Sequence, residues 1–185
     1  MGDTEFEGGP ESPAEHAGGS GSGRRGPADH HAIPWPDLSG RPHSHTVERQ
    51  MLAAPAAIYA AWTVHADRWL ALPGRIVMRA EVGEPFYFET EFNGRRYPHY
   101  GRFLVLEPDR RIVMTWVTGP SGTAGAETVL SIVLTPAGPG TVVRLSHAGF
   151  VTESAGREHE HAWHVVLRNL DTILVDPPDK ADAGD

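Results

Sequence analysis

Phe86-Tyr87-Phe88-Glu89-Thr90-Glu91-Phe92-Asn93-Gly94-Arg95-Arg96-Tyr97 is the stretch that decides the fold. Phe86, Phe88, Thr90 and Phe92 alternate with Tyr87, Glu89 and Glu91, the period-two signature of a strand with one buried face. Asn93-Gly94 follows, two residues that tolerate positive φ, so the chain returns as an antiparallel partner over Arg95 to Glu107. Toward the C-terminus, Pro108-Asp109-Arg110 turns the chain into Ile112 to Thr118. Thr128 to Thr135 and Thr141 to His147 then read as two more strands, joined across Pro136 to Gly140. Toward the N-terminus, Arg75 to Ala80 reads as a strand, Ala56 to Val64 as a short helix entered through Pro55, and Thr46 to Met51 as an edge strand. Trp163, Val166, Leu167, Leu170, Ile173 and Leu174 recur at three- and four-residue spacing, which predicts a long final helix with Ser154 or Thr152 as its cap. A run of strands closed by one amphipathic helix is an α+β domain in which a curved antiparallel sheet wraps the helix, because each needs the other to cover its apolar face.

Composition bounds the rest. The chain has 185 residues, about one domain, with 24 acidic and 16 basic side chains and a formal net charge of -8. Lys180 is the single lysine, and a polyanion-binding surface is not expected, so no nucleic acid partner is assigned. The absence of cysteine removes disulfides, thiolate nucleophiles and cysteine-ligated metals. No apolar run approaches the roughly 18 to 20 residues of a membrane span, and Met1 to Gly9 is acidic where a signal peptide is basic and then apolar. No membrane partner and a cytoplasmic location are therefore expected. Residues 1–44 hold nine glycines and six prolines and are predicted to be a disordered acidic leader. Residues 45–174 form the domain, and 175–185 a disordered acidic tail. The leader's one apolar patch, Ile33-Pro34-Trp35-Pro36-Asp37-Leu38, reads as a linker or as an extended segment able to dock.

His99-Tyr100-Gly101-Arg102-Phe103-Leu104-Val105-Leu106-Glu107-Pro108, running on to Arg111-Ile112-Val113-Met114-Thr115-Trp116, resembles the C-terminal-type domain of the heat-shock ATPase activator homologues. That AHSA-type domain is a branch of the START-like, or SRPBCC, superfamily. Ala54-Pro55-Ala56-Ala57-Ile58-Tyr59 is similar to the family's first-helix entry, Gly140 to His147 to its last strand, and Trp163 to Leu174 to its terminal helix. The resemblance covers about Thr46 to Leu174. It implies a helix-grip, Bet v-like fold with a cavity between sheet and terminal helix that holds apolar small molecules, and in many members no catalysis. The chain departs from the family in carrying Ala162-Trp163 where Gly-Trp is usual, and in its 44-residue leader.

The candidate cavity walls are Trp62, Trp69, Phe86, Phe88, Phe103, Met114, Trp116, Trp163 and Leu167, more large flat side chains than core closure requires; ordinary dense core is the competing reading. His147 shares strand parity with Val143 and Leu145 and is expected to point inward, where it could bond a ligand, move a proton or simply satisfy a neighbouring hydroxyl. His99 is a second such candidate. His159, His161 and His164 suggest a metal at first sight, but His159 and His161 fall on nearly opposite sides of a helix, so no metal is assigned and the three read as a solvated face. Arg95, Arg96, Arg102, Arg110 and Arg111 cluster at hairpin ends and read as surface solvation. The glycines from Gly18 to Gly23 lack the flanking strand and helix of a phosphate loop, and no cofactor is assigned. The leading expectation is a noncatalytic binder of a hydrophobic, aromatic or polycyclic small molecule, as sequestration or self-resistance, acting as monomer or homodimer. The alternatives are a polyketide cyclase or dehydratase working through His147 or His99, and a module that modulates a chaperone ATPase.

Overall fold

The computed structural model describes residues 33–119 and 122–176. Its elements are β1 (His43–Met51), α1 (Pro55–Thr63), a short 3-10 turn (Ala66–Arg68), β2 (Ile76–Val77), β3 (Pro85–Phe92), β4 (Arg95–Glu107), β5 (Arg111–Thr118), β6 (Thr128–Ala137), β7 (Gly140–Phe150) and α2 (Glu153–Val175). Seven strands form one antiparallel sheet in the order β1-β7-β6-β5-β4-β3-β2, which wraps α2 in the helix-grip arrangement. Residues 1–32 of the leader and 177–185 of the tail lie outside the described residues.

Local chemistry accounts for most of these bounds. Asn93 and Gly94 take positive φ between β3 and β4, and Asp109 does so between β4 and β5. Thr152 rather than Ser154 caps α2, its hydroxyl accepting from the Ala155 N–H at 3.3 Å. β1 starts at His43, three residues before the expected Thr46. β2 shrinks from the expected Arg75 to Ala80 to two residues, since the chain turns where the Glu81 N–H bonds the Arg79 carbonyl at 2.9 Å.

The main core lies between the inner sheet face and the two helices: Phe86, Phe88, Phe103, Ile112, Met114 and Trp116 meet Trp62 of α1 and Trp163, Leu167 and Leu170 of α2. Gly101 makes this closure possible, because a β-carbon there would overlap both the Thr115 carbonyl oxygen and the Phe86 ring. At the far end of α2, Asp171 accepts from the Leu52 N–H at 3.0 Å and pairs with Arg49 at 3.4 Å, tying the helix to the end of β1.

The apolar patch of the leader is docked. Ile33 and Leu38 pack on the outer face of the sheet against Leu104, Val113 and Val129. Leu38 seats in the space a β-carbon at Gly149 would take, and Ile33 does the same at Gly83. Arg102 pairs with Glu127 and donates to the Pro34 carbonyl at 3.0 Å, while Arg41 donates to the Glu127 carbonyl at 2.6 Å. Arg102 is thus a fastener of this strap and not a freely solvated cation. The strap also explains why β5 is buried on both faces, Val113 outward under it and Met114 inward.

Candidate functional site

β3, β4, β5 and the N-terminal half of α2 enclose a cavity of about 490 Å³. Phe88, Trp116 and Trp163 line it, with Leu70, Ala162, Val165 and Val166 completing the apolar wall. Thr90, His99, Glu158, His159 and His161 are its polar members, and Phe92, 67% exposed at the hairpin tip, stands at the mouth. A smaller annex of about 240 Å³ adjoins it, shares Thr90, His99 and His159, and adds Arg95 and Arg96. A larger groove of about 730 Å³ runs from the start of α1 to the β4–β5 turn. It is an open surface channel of mixed charge, from Glu107, Asp109, Arg110 and Arg111, and has none of the aromatic enclosure that holds a small apolar molecule.

The His99 ring lies flat against Phe88, with centroids 4.7 Å apart at 15°, and is tilted on Trp116 at 5.1 Å. Its Nε2 is 3.0 Å from the Thr90 hydroxyl, and its buried Nδ1 has no partner among the described residues. Burial, with a smaller contribution from nearby His159, pushes its pKa down to about 4, so the ring is neutral at physiological pH.

His147 is different. It is fully buried, and both its ring nitrogens are occupied: Trp163 Nε1–H donates to Nδ1 at 3.1 Å, and Nε2 lies 2.7 Å from the Thr128 hydroxyl. Indole can only donate, so Nδ1 is the bare nitrogen and Nε2 carries the proton toward Thr128, whose own hydroxyl donates to the Trp116 carbonyl at 2.5 Å. Burial holds the pKa well below the usual histidine value. The inward orientation expected from strand parity is present, but His147 lies behind the cavity wall and locks Trp163 and Trp116 in place. His45, on β1, packs against His147 at 5.6 Å and Phe150 at 5.3 Å with both nitrogens buried and unpaired among the described residues.

Of the expected wall residues, Phe88, His99, Trp116 and Trp163 reach the cavity. Trp62, Phe86, Phe103, Met114 and Leu167 are packed into the core behind it, with Trp69 at its edge. His159 was grouped with a solvated face; it is instead half-buried, donates from Nδ1 to the Ala155 carbonyl at 2.9 Å and lines the cavity. It sits four residues before Trp163 on the same helical stripe, a signal present in the periodicity. His161 is exposed but also lines the cavity, and His164 is exposed. Among the described residues no group of three or more His, Asp or Glu side chains is arranged to hold a metal ion.

Residues 52–175 match the family described as activator of Hsp90 ATPase homolog 1-like protein. The chain belongs to this family. β1 and the docked strap precede the matched region. Among solved structures, a Mesorhizobium loti protein is 22% identical with a TM-score of 0.60, covering 74% of this chain and 99% of that one. The Aha1 dimer from Colwellia psychrerythraea is 23% identical with a TM-score of 0.57, covering 71% and 96%. A protein in the dynemicin biosynthetic locus is 15% identical with a TM-score of 0.60, covering 72% of this chain and 47% of that one. These likenesses carry the fold. No curated protein sequence matches the chain, and no described helix is long and apolar enough to cross a membrane.

Proposed function

We propose that this protein binds one small, apolar aromatic molecule per chain in the cavity beneath α2, carrying or sequestering it without transforming it. The observation that supports this reading is the 490 Å³ enclosure walled by Phe88, Trp116 and Trp163, a size within the ordinary range of small-molecule sites. A structural neighbour from the dynemicin biosynthetic locus is consistent with it. The cyclase or dehydratase alternative needs a histidine with a free nitrogen and a pKa near neutrality. His147 lacks the first and His99 the second. The chaperone-modulating alternative rests on the family description alone. We further infer a cytoplasmic protein acting as monomer or homodimer, the dimer having a precedent in the Colwellia psychrerythraea structure.

Thermal melting tests the proposal. A ligand held in the native state alone, at about 100 times its dissociation constant, adds about 2.7 kcal/mol, which raises the midpoint by about 5 °C or more. Apolar aromatic compounds are expected to do this for the native chain and not for Ala162→Trp, whose indole fills the cavity mouth. A panel that leaves the native midpoint unmoved counts against the proposal.

A further inference from the structure

We propose that the N-terminal half of α2, residues 153–162, is a gate over the cavity and that acid opens it, His45 and His159 taking up protons as they come into water. This rests on the reading of the cavity as a small-molecule site and adds how its occupant is released.

α2 is held to the sheet unevenly. Its C-terminal half buries Trp163, Leu167 and Leu170, and side-chain bonds fix it from Trp163 to His147 and from Asp171 to Leu52 and Arg49. Before Trp163 the helix buries only Gly156. Among the described residues, the hydrogen bonds and ion pairs made by residues 153–162 stay within the helix and its Thr152 cap. A segment with so few anchors opens at lower cost than the fold as a whole. This half nevertheless forms one wall of the cavity, through Glu158, His159, His161 and Ala162.

What the gate rests on is a patch of rings. His45 and His147 stand directly across the β1–β7 ladder. Phe150 stacks on His45 at 5.3 Å and meets His147 at 4.5 Å, and His159 reaches down from the gate to Phe150 at 4.8 Å and His147 at 5.3 Å. A β-carbon at Gly156 would stand 3.7 Å from Phe150 and 3.9 Å from His45 Nδ1, so the helix backbone itself shuts His45 off from water. Both His45 nitrogens are buried there without a partner among the described residues, and only a displaced helix lets water reach them.

The groups around the two rings keep them neutral while the gate is shut. At His45 burial outweighs the attraction of Glu160, and His159 and His164 add to the burial. At His159 burial outweighs the bond to the Ala155 carbonyl and the attraction of Glu158. His147 is tied to Trp163 and to Thr128 of β6, and His99 of β4 stays against Phe88 and Trp116, so neither leaves with the gate. Once the gate lifts, His45 and His159 regain the usual histidine value near 6.5, and below that pH opening takes up protons and is favoured.

Release of naphthol, followed by tryptophan fluorescence on dilution at pH 7.5 and 5.5, tests the gate; like the tyrosine phenol, this probe ionises only far above neutrality. Each histidine that regains its usual value on opening is expected to speed release about tenfold across that interval, about a hundredfold for the pair. His45→Phe keeps a flat ring on Phe150 outside the cavity lining, and is expected to match the native rate at pH 7.5 and to gain only about tenfold at pH 5.5. A merely structural role for His45 would shift both rates and leave the pH profile unchanged. Amide hydrogen exchange of the full chain, scaled to intrinsic rates, needs no variant: protection at residues 158–162 is expected to lie below that at residues 166–173 and to fall on acidification in step with release. A release rate equal at the two pH values, a native pH profile in His45→Phe, or equal protection in both halves of α2 each overturn the gate while leaving the cavity reading intact. Failure of naphthol to bind at pH 7.5 overturns both.

Discussion

At the scale of single residues, His147 is expected to be needed for stability. His147→Leu leaves the Trp163 indole N–H buried without its acceptor, and urea unfolding is expected to show a loss of about 2 kcal/mol or more. A loss within the range of a neutral surface change would mean that Trp163 is not held by this bond. His45, His99, His147 and His159 all have pKa values lowered mainly by burial. Glu160 opposes the shift at His45, where His159 and His164 add to it, and at His159 the hydrogen bond to the Ala155 carbonyl and then Glu158 oppose it. The sign follows directly. Between the unfolded value near 6.5 and the lower folded values the unfolded chain binds more protons, so stability is complete above about pH 6.5 and falls on acidification. His99 and His147, the most deeply buried of the four, each contribute a slope of about 1.4 kcal/mol per pH unit in that window. Denaturant midpoints measured from pH 7.5 down to about 4.5, above most carboxylate titrations, are expected to fall steeply; a flat profile would contradict the neutral cluster. Gly101→Ala, which drives a methyl group into the Thr115 carbonyl and the Phe86 ring, is expected to cost about 1–3 kcal/mol in the same assay.

At the scale of elements, the strap and β1 set this chain apart from the region its family model matches, which begins at Leu52. β1 pairs along its whole length with β7 and brings His45 and Arg49 to α2, so it is integral to the grip. The strap covers Leu104, Val113 and Val129 with two aliphatic side chains and is held by two hydrogen bonds, Arg102 to the Pro34 carbonyl and Arg41 to the Glu127 carbonyl. A chain beginning at residue 33 is expected to melt with the full protein. One beginning at residue 43 is expected to melt about 5 °C lower or more, at roughly 1 kcal/mol for each partly buried aliphatic side chain plus the lost bonds. Equal midpoints for the two truncations would show that the strap adds no stability. The difference between what was legible and what was not is clearest here. The β3–β4 hairpin could be read because alternation and Asn-Gly are local signals. β2 could not, because its length depends on where its partner stops receiving it. The docking of Ile33 and Leu38 has no periodicity of its own and depends on glycines far along the chain, Gly83 and Gly149.

At the scale of the whole molecule, the sequence identified the layers and most of the aromatic core, but not which aromatics face empty space. Phe86 and Phe88 share strand parity, yet Phe88 lines the cavity and Phe86 fills the core behind it. The distinction depends on where α2 lies against the curved sheet, which alternation along one strand does not encode. His159 could have been placed by extending the Trp163 stripe one turn back; the polar composition of that turn concealed it. The resulting picture of the described residues is a sheet gripping a helix with a partly open, aromatic-walled slot between them, and the slot carries the functional claim. Native mass spectrometry of the protein incubated with naphthol, beside Ala162→Trp, tests that claim most directly. The account requires one adduct per chain in the native protein and none in the variant; a bare native mass, or the same adduct on both, would contradict it.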